Sequence, residues 1–201
     1  EKTIFNNDQI YLAYCPERVL PGNIFSELRN NDRVIGGITK ESSKKAKDFY
    51  ANICEGQLFT TNANTAEMVK LSENAFRDIN IAFANELSIV CDSINVNVNE
   101  LITLSNRHPR VNILNPGCGV GGHCIAIDPW FIASQFPDKT PLIQAARQVN
   151  SNKTLWVIKQ IKKNIRKFYQ NKGFSPVIGF LGLTYKPNVN DLRESPALKI
   201  A

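Results

Sequence analysis

The chain of 201 residues contains no apolar run of the roughly 18 residues that a membrane-spanning helix needs. It has only two histidines, and its five cysteines have neither regular spacing nor the spacing of zinc ligands. Internal repeats and low-complexity segments are also absent. We therefore predict a cytoplasmic protein with reduced thiols, no bound metal and no membrane partner.

Acidic residues are fewer than basic ones, 18 against 24, so the net charge is +6. Much of this excess lies in the segment Lys159–Lys172, "KQIKKNIRKFYQNK", which lacks aromatic residues interleaved through its basic positions. That pattern argues against a nucleic-acid partner. Two interpretations remain, a solvated helix face and an attraction for a small polyanionic substrate.

Proline and glycine are absent between Asn64 and Asp92, where apolar residues recur at intervals of three and four, which predicts one long helix. Before it, short strands are predicted at Tyr11–Tyr14, Arg33–Ile38 and Gln57–Thr61, with loops between them and one helix that begins after Thr39. A strand, a helix and a strand in this order form the βαβ unit of a parallel sheet.

Further helices are predicted to end near Arg107 and to cover Pro141 to Tyr169, and "DPWFIASQF" is predicted to become helical after a glycine-rich loop. The apolar run Val177–Tyr185 predicts a buried strand that starts a new α/β unit. We predict an α/β plus all-α architecture, and we expect the chain to be part of a longer protein.

The glycine-rich loop is "NPGCGVGGHCIAIDPWF", residues 115–131. Cys124 is predicted to enter a helix, where the macrodipole favours a thiolate, and Asp128 follows four residues later. Glycines before the thiol would let a ligand approach the backbone. The alternative is a tight turn with an inert thiol. His123 is an improbable base for Cys124, because neighbouring side chains usually point apart.

The predicted long helix carries Lys70, Asn74 and Arg77 at positions i, i+4 and i+7 of one stripe. Such a stripe usually faces water, but apolar residues cover much of the remaining surface of this helix. A ligand or an interface is therefore the second interpretation, and a desolvated lysine there could act as an acid or base. Basic and polar residues also follow a strand in "CPERVLPG" and precede the glycine-rich loop in "RHPRVN".

Four motifs occur in a specific order: Pro16–Glu17, Lys70-x-x-x-Asn74, Gly119 to Asp128 as G-x-G-G-x-C plus aspartate, and Gly182 to Pro196 as G-L-x-Y-K-P…D-x-R-x-S-P. Together they resemble the nucleotide-sugar 6-dehydrogenases, the family of UDP-glucose and GDP-mannose dehydrogenases. The stretches "CPERVLPG", "RHPRVN" and "GVGGHCIAIDPWF" are most similar to the branch that oxidises UDP-N-acetyl-D-mannosamine. Enzymes acting on UDP-N-acetylglucosamine or UDP-glucose, and a non-catalytic helical dimerisation module, are the alternatives.

The resemblance implies that residues 1–61 are the C-terminal part of a Rossmann-like NAD-binding domain. It implies that residues 62–172 form a central helical dimerisation domain with a long connecting helix, and that 173–201 begin a second Rossmann-like, UDP-binding domain. It also implies a homodimer formed through the central helices. The implied reaction is a two-step, NAD-dependent oxidation of the sugar C6 alcohol to a carboxylate.

The resemblance assigns roles to residues across the chain. Cys124 would be the nucleophile, Lys70 the acid/base, Asn74 a ligand of the tetrahedral oxygen, and Asp128 the group that orients Lys70 or the hydrolytic water. The implied substrate-binding residues are Arg18, Val19, Arg77, His108, Arg110, Gly121, Tyr185 and Lys186, and Arg193 would touch NAD.

The chain departs from the family pattern in one respect: it contains no G-x-G-x-x-G sequence that follows a strand and opens a helix. In the family this fingerprint lies at the N-terminus, so we expect it to precede the present sequence. We therefore expect the isolated 201 residues to bind NAD poorly and to show no turnover.

Overall fold

A computed structural model describes residues 10–19 and 23–201 of the chain. The chain divides into two compact units, Glu1–Glu73 and Asn74–Ala201. The division falls within one continuous helix, so each unit is described by itself.

The described part of the first unit contains a three-stranded sheet and two short helices before the long helix begins. Their bounds are β1 Ala13–Tyr14, α1 Ile24–Asn30, β2 Arg33–Gly37, α2 Lys40–Tyr50 and β3 Leu58–Asn62. The sheet order is β1-β2-β3, with β2 parallel to β3 and β1 antiparallel to β2. The predicted βαβ unit is therefore confirmed as β2–α2–β3.

The crossover from β2 into α2 is built by short polar side chains. The Thr39 hydroxyl caps α2 by accepting from the Ser42 N–H at 3.0 Å, as the capping-type threonine predicted. The Ser43 hydroxyl accepts from the Gly37 N–H and donates to the Thr61 carbonyl of β3. Ile35 of β2 is fully buried. These contacts fix the ends of β2 and β3 next to the start of α2.

Helix α1 lies in a stretch that was predicted to be a loop, so that prediction is wrong. The helix has seven residues, none of them buried, and its N-cap residue Asn23 makes no capping hydrogen bond. A helix this short, without a buried face, leaves little hydrophobic periodicity in the sequence.

The second unit is helical in its described residues, and α3 runs into it from the first unit. The bounds are α3 Ala63–Ser93, α4 Val98–Ser105, α5 Asp128–Gln135, a 3₁₀ turn Pro137–Lys139, α6 Pro141–Lys172 and α7 Pro196–Ile200. Asn97 caps α4 through its side chain, and Gly173 ends α6 in the left-handed conformation. The long helices and the helix predicted in "DPWFIASQF" are confirmed.

The strand predicted at Val177–Tyr185 is wrong, because the structure has no strand there. Val177 and Leu181 are fully exposed. A strand requires a neighbouring strand to pair its N–H and C=O groups, and the described residues of this unit include none. An apolar run indicates a buried strand only when the rest of the sheet is present.

No helix in the described part of the chain is long and apolar enough to cross a membrane.

Candidate active site

Cys124 lies in a turn that leads into α5. Its carbonyl accepts hydrogen bonds from the N–H groups of Ile127 at 3.0 Å and Asp128 at 2.8 Å. Helix α5 begins at Asp128, so the expectation that Cys124 itself lies at a helix start is wrong. The turn nevertheless places the thiol residue and Asp128 one helical turn apart, as the four-residue spacing predicted.

The Asp128 carboxylate is joined to α3 by a short hydrogen bond. The side-chain amide of Asn74 donates to Asp128 Oδ2 at 2.6 Å, and Asn74 is only 5% exposed. Three of the four residues to which the resemblance gave catalytic roles, Cys124, Asp128 and Asn74, are therefore connected within the second unit.

The glycines of the loop allow another group to approach the backbone closely, and in the structure that group is a later segment of the same chain. A Cβ atom on Gly121 would lie 2.6 Å from Tyr185 Cβ, and Gly122, at φ +84°, faces the Tyr185 ring. The Gly122 N–H donates to the Arg193 carbonyl at 3.0 Å. The segment with Tyr185 and Arg193 therefore packs on the glycine-rich loop, two residues before Cys124.

Arg193 is held by its neighbour Asp191 through side-chain contacts of 2.7 to 3.1 Å. These bonds lower the pKa of Asp191 to about 2 and raise the pKa of Arg193. His123 Nδ1 lies 3.9 Å from the same carboxylate, which agrees with the argument against a His123–Cys124 pair.

In the first unit, Lys70 donates from Nζ to the Glu17 carbonyl oxygen at 2.8 Å. The Glu17 side chain in turn accepts from the backbone N–H groups of Arg18 and Val19. Arg18 also lies 3.4 Å from Glu73. The P-E loop and the lysine of the K-x-x-x-N motif are thus joined by one direct hydrogen bond.

A buried arginine supports this loop from β2. Arg33 is 5% exposed, its guanidinium stacks on the Tyr50 ring at 4.5 Å, and NH1 lies 3.4 Å from Glu17 Oε2. Its Nε has no hydrogen-bond partner. Sequence reasoning did not select Arg33, because an arginine at a strand start gives no signal of burial.

Four residues to which the resemblance gave substrate contacts are not joined to Cys124 by any hydrogen bond or ion pair in the described chain. Arg77, His108 and Arg110 are exposed, and Lys186 lies 5.9 Å above the Tyr185 ring. The loop with His108 and Arg110 is closed at its base by Asn106, which exchanges two hydrogen bonds with the Ile113 backbone.

Sequence reasoning missed a buried polar network between α3 and α6. Its members are Asp78 and Asn85 on α3, and Arg147 and Asn150 on α6, all at most 7% exposed. The network ends on the Gly117 N–H of the glycine-rich loop. A signal was available, because Asp78 and Asn85 are seven residues apart and lie on one face of a helix without glycine or proline.

A cleft of about 620 Å³ lies in the first unit at the carboxyl ends of β2 and β3. Its lining includes Lys40, Lys44 and Lys47 of α2 together with Thr61. In parallel sheets, this edge is where nucleotides bind. The three lysines make this cleft basic. No cluster of three or more potential metal ligands occurs in residues 10–19 and 23–201.

Comparison with known proteins assigns the chain to a family. Residues 1–54 match the NAD binding domain of the UDP-glucose/GDP-mannose dehydrogenase family, and residues 64–152 match its central domain. The chain belongs to the UDP-glucose/GDP-mannose dehydrogenase family. The Rossmann-like and central helical parts of the predicted fold are confirmed by this membership.

Three relatives illustrate the similarity within the family. UDP-N-acetyl-D-mannosamine dehydrogenase of Campylobacter jejuni is 57% identical over 191 residues, covering 95% of this chain and 46% of that protein. NDP-N-acetyl-D-galactosaminuronic acid dehydrogenase of Ralstonia nicotianae is 56% identical over 191 residues, 95% of this chain and 44% of that protein. The solved structure of UDP-D-ManNAc dehydrogenase from Pyrococcus horikoshii has a TM-score of 0.85 at 43% identity, covering 94% of this chain and 45% of that one. The chain thus spans about half the length of these relatives.

Proposed function

We propose that the protein is an NAD-dependent 6-dehydrogenase that oxidises UDP-N-acetyl-D-mannosamine to UDP-N-acetyl-D-mannosaminuronate. The observation that carries this proposal is the connected set of Asn74, Asp128 and the Cys124 turn. Similarity to two UDP-N-acetyl-D-mannosamine dehydrogenases supports the choice of sugar.

Cys124 is the nucleophile in this proposal. After the C6 alcohol loses a hydride and a proton, the Cys124 sulfur adds to the resulting aldehyde and forms a thiohemiacetal. Loss of a second hydride from C6 gives a thioester, which water hydrolyses to the carboxylate and the free thiol. The overall reaction consumes one water and two NAD⁺, and releases two NADH and three protons.

Lys70, Asn74 and Asp128 assist these steps. Lys70 exchanges the proton of the C6 oxygen and, as a cation, stabilises the tetrahedral oxyanion. Asn74 helps to hold the same oxygen, while its hydrogen bond to the Asp128 carboxylate fixes its orientation. Asp128 orients Lys70 or the hydrolytic water.

The remaining residues bind substrate and cofactor. We assign the substrate to Arg18, Val19, Arg77, His108, Arg110, Gly121, Tyr185 and Lys186, and a cofactor contact to Arg193. The basic cleft lies at the carboxyl ends of β2 and β3, where parallel sheets bind nucleotides, which supports a dinucleotide cofactor. When bound, NAD⁺ supplies the hydride acceptor for both oxidations.

The first test measures NADH formed per sugar by the full-length protein with UDP-N-acetylmannosamine, UDP-N-acetylglucosamine, UDP-N-acetylgalactosamine and UDP-glucose. Two NADH per UDP-N-acetylmannosamine, with little from the others, is the expected result. N-acetylgalactosamine is included because the Ralstonia nicotianae relative carries that name at 56% identity. No NADH from any sugar would contradict the proposal.

The second test replaces the nucleophile. We expect Cys124→Ser to lower uronate formation by about 10³-fold or more. The matched control is Cys118→Ser in the same loop, which should keep most of the activity. Equal losses of uronate formation in both variants would indicate that Cys124 has only a structural role.

A non-catalytic dimerisation module is the alternative from another class of function. Selective alkylation of Cys124 over the other four thiols at neutral pH favours the enzyme. Uniform slow labelling of all five cysteines favours the module.

We further propose a homodimer formed through the central helices. Phe76, Phe83 and Val90 lie seven residues apart on α3 and are 67%, 51% and 48% exposed. An apolar stripe with this spacing suits a packed helix pair. Light scattering of Phe83→Glu should show a monomer, whereas Glu86→Lys, an exposed control on the same helix, should remain dimeric. We also infer a cytoplasmic location, which five free cysteines support.

A further inference from the structure

The glycine-rich loop is connected to the core of the helical unit by a series of buried side chains. Asp78 Oδ1 and the Asp78 carbonyl accept from Asn150 Nδ2 at 2.8 and 3.1 Å. Asn150 Oδ1 accepts from Asn85 Nδ2 at 2.9 Å. Asn85 Oδ1 accepts from the Gly117 N–H at 2.8 Å. Each side chain in this series is at most 1% exposed, so water cannot replace a missing bond.

The series has a direction, because its first member can only accept. Arg147 NH1 donates to Asp78 Oδ1 at 2.7 Å, so this oxygen is an acceptor, and the Asp78 carbonyl has no proton to donate. Asn150 must therefore turn its NH₂ group toward Asp78 and its oxygen toward Asn85. Asn85 then turns its NH₂ group toward Asn150, which leaves its oxygen facing Gly117.

We propose that Asp78 orients the amides of Asn150 and Asn85 in series, and that Asn85 is thereby a positioning residue for the loop that carries Cys124. The inference deepens the proposed function, since the loop matters to catalysis only if Cys124 is the nucleophile.

The contacts that follow Gly117 carry this constraint toward the thiol. The Cys118 carbonyl accepts from the Thr154 hydroxyl of α6 at 2.7 Å, and the Gly122 N–H donates to the Arg193 carbonyl. The loop is therefore held at 117, 118 and 122. Loss of the hydrogen bond at Gly117 lets the backbone before Cys124 shift. Such a shift lowers the rate of attack by Cys124, because that rate depends on the position of the thiol.

The first experiment removes the loop contact in the full-length protein by Asn85→Leu, which has a similar volume. Hydrogen exchange of the Gly117 amide should accelerate about tenfold or more relative to amides inside α3 and α6. The kcat should fall about tenfold or more, with KM for the UDP-sugar changed by less than about threefold. Asn80→Leu on the same helix is the control, because Asn80 donates only to the Phe76 carbonyl of its own helix.

A general loss of stability would give a different pattern. If Gly117 exchanges faster only in proportion to the helix amides, or if kcat and stability decline together in Asn80→Leu as well, the positioning role is overturned.

The second experiment tests the direction of the series. Asn85→Asp places an acceptor-only group at both ends of Asn150, so one carboxylate must face the Asn150 oxygen. Adding Asp78→Asn lets the amide at 150 turn around and donate to the new carboxylate, with loss of its hydrogen bond to the carbonyl of residue 78. We expect kcat of the double variant to be at least about fivefold higher than kcat of Asn85→Asp. If kcat of the double variant is no higher than the product of the two single losses predicts, the proposed orientation of Asn150 by Asp78 is overturned.

The two proposals can fail separately. Absence of NADH from the wild-type protein would refute the dehydrogenase. The Gly117 exchange rate and the rate of Cys124 alkylation would still decide whether Asn85 positions the loop, because neither needs turnover.

Discussion

Two aspartate–arginine pairs in the helical unit have the same shortest N–O distance, 2.7 Å, and opposite surroundings. Asp78 and Arg147 join α3 to α6, with side chains 0% and 8% exposed. Asp191 and Arg193 are two residues apart in the loop before α7, and their side chains are 18% and 63% exposed.

The two carboxyl groups shift in opposite directions. Burial raises the pKa of Asp78 above its usual value, although the bonds from Arg147 and Asn150 oppose the rise. Hydrogen bonds from Arg193 lower the pKa of Asp191 to about 2. Asp78 Oδ2 and Arg147 Nε also lack partners, whereas both Asp191 oxygens are bonded.

The comparison shows that burial, and not the partner or the distance, decides what an ion pair does. The buried pair leaves part of its hydrogen-bonding capacity unused, so its value lies in fixing orientation more than in adding stability. The solvent-facing pair is local and well bonded, so it tethers one arginine near the glycine-rich loop.

The largest effect is expected from Arg147→Met. It leaves the Asp78 carboxylate buried without its cation, which should destabilise the protein by about 3–5 kcal/mol. Chemical denaturation at pH 7 measures this. The control is Arg193→Met, which removes the guanidinium of the other pair, and a loss as large as that of Arg147→Met would contradict the comparison.

The Arg147→Met defect should depend on pH. Without the guanidinium, burial raises the pKa of Asp78 further. A carboxyl group with a raised folded-state pKa contributes stability below its unfolded value, near 3.8, and loses it as pH rises through the folded value. The difference in the free energy of unfolding between Arg147→Met and wild type should therefore be smaller at pH 4 than at pH 7. The variant Asp78→Asn/Arg147→Met should lack this pH dependence.

Replacing the whole buried pair should cost less than breaking it. In Asp78→Leu/Arg147→Met neither charge of the pair remains, so we expect stability within about 2 kcal/mol of wild type. The Gly117 amide should nonetheless lose protection from exchange, because Asn150 loses its carboxylate acceptor and keeps only the backbone carbonyl of residue 78. Stability as low as that of Arg147→Met alone would show that the charges themselves hold the helices together.

The smallest effect concerns the solvent-facing pair. The Asp191 carboxyl should titrate near 2 by NMR and near its usual 3.8 in Arg193→Ala. Because this pKa is lowered, its stabilising contribution is present above about pH 4 and is lost as pH falls toward 2. At neutral pH, Arg193→Ala should leave Tm within experimental error. An unchanged Asp191 midpoint would refute the assigned cause.

Prediction from the sequence succeeded where local patterns decide the structure. Thr39 predicted the start of α2. The stretch from Asn64 to Asp92 predicted α3 by its apolar periodicity and its lack of proline and glycine. It failed at Val177–Tyr185, because strand formation depends on neighbours that an apolar run does not specify. It also missed Arg33 and the Asp78 network, since a charged residue on a helix or strand is usually solvated.

For the candidate site, the sequence alone determined the chemistry available and the local spacing. Cys124 and Asp128 are one turn apart because they are four positions apart in the sequence, and glycine is needed at 122 because its φ is positive. Only the tertiary structure decided that Asn74 bonds Asp128 and that Asn85 holds Gly117, across 54 and 32 residues of chain. Such contacts depend on which helix faces pack together, and burial then makes each unpaired polar atom costly.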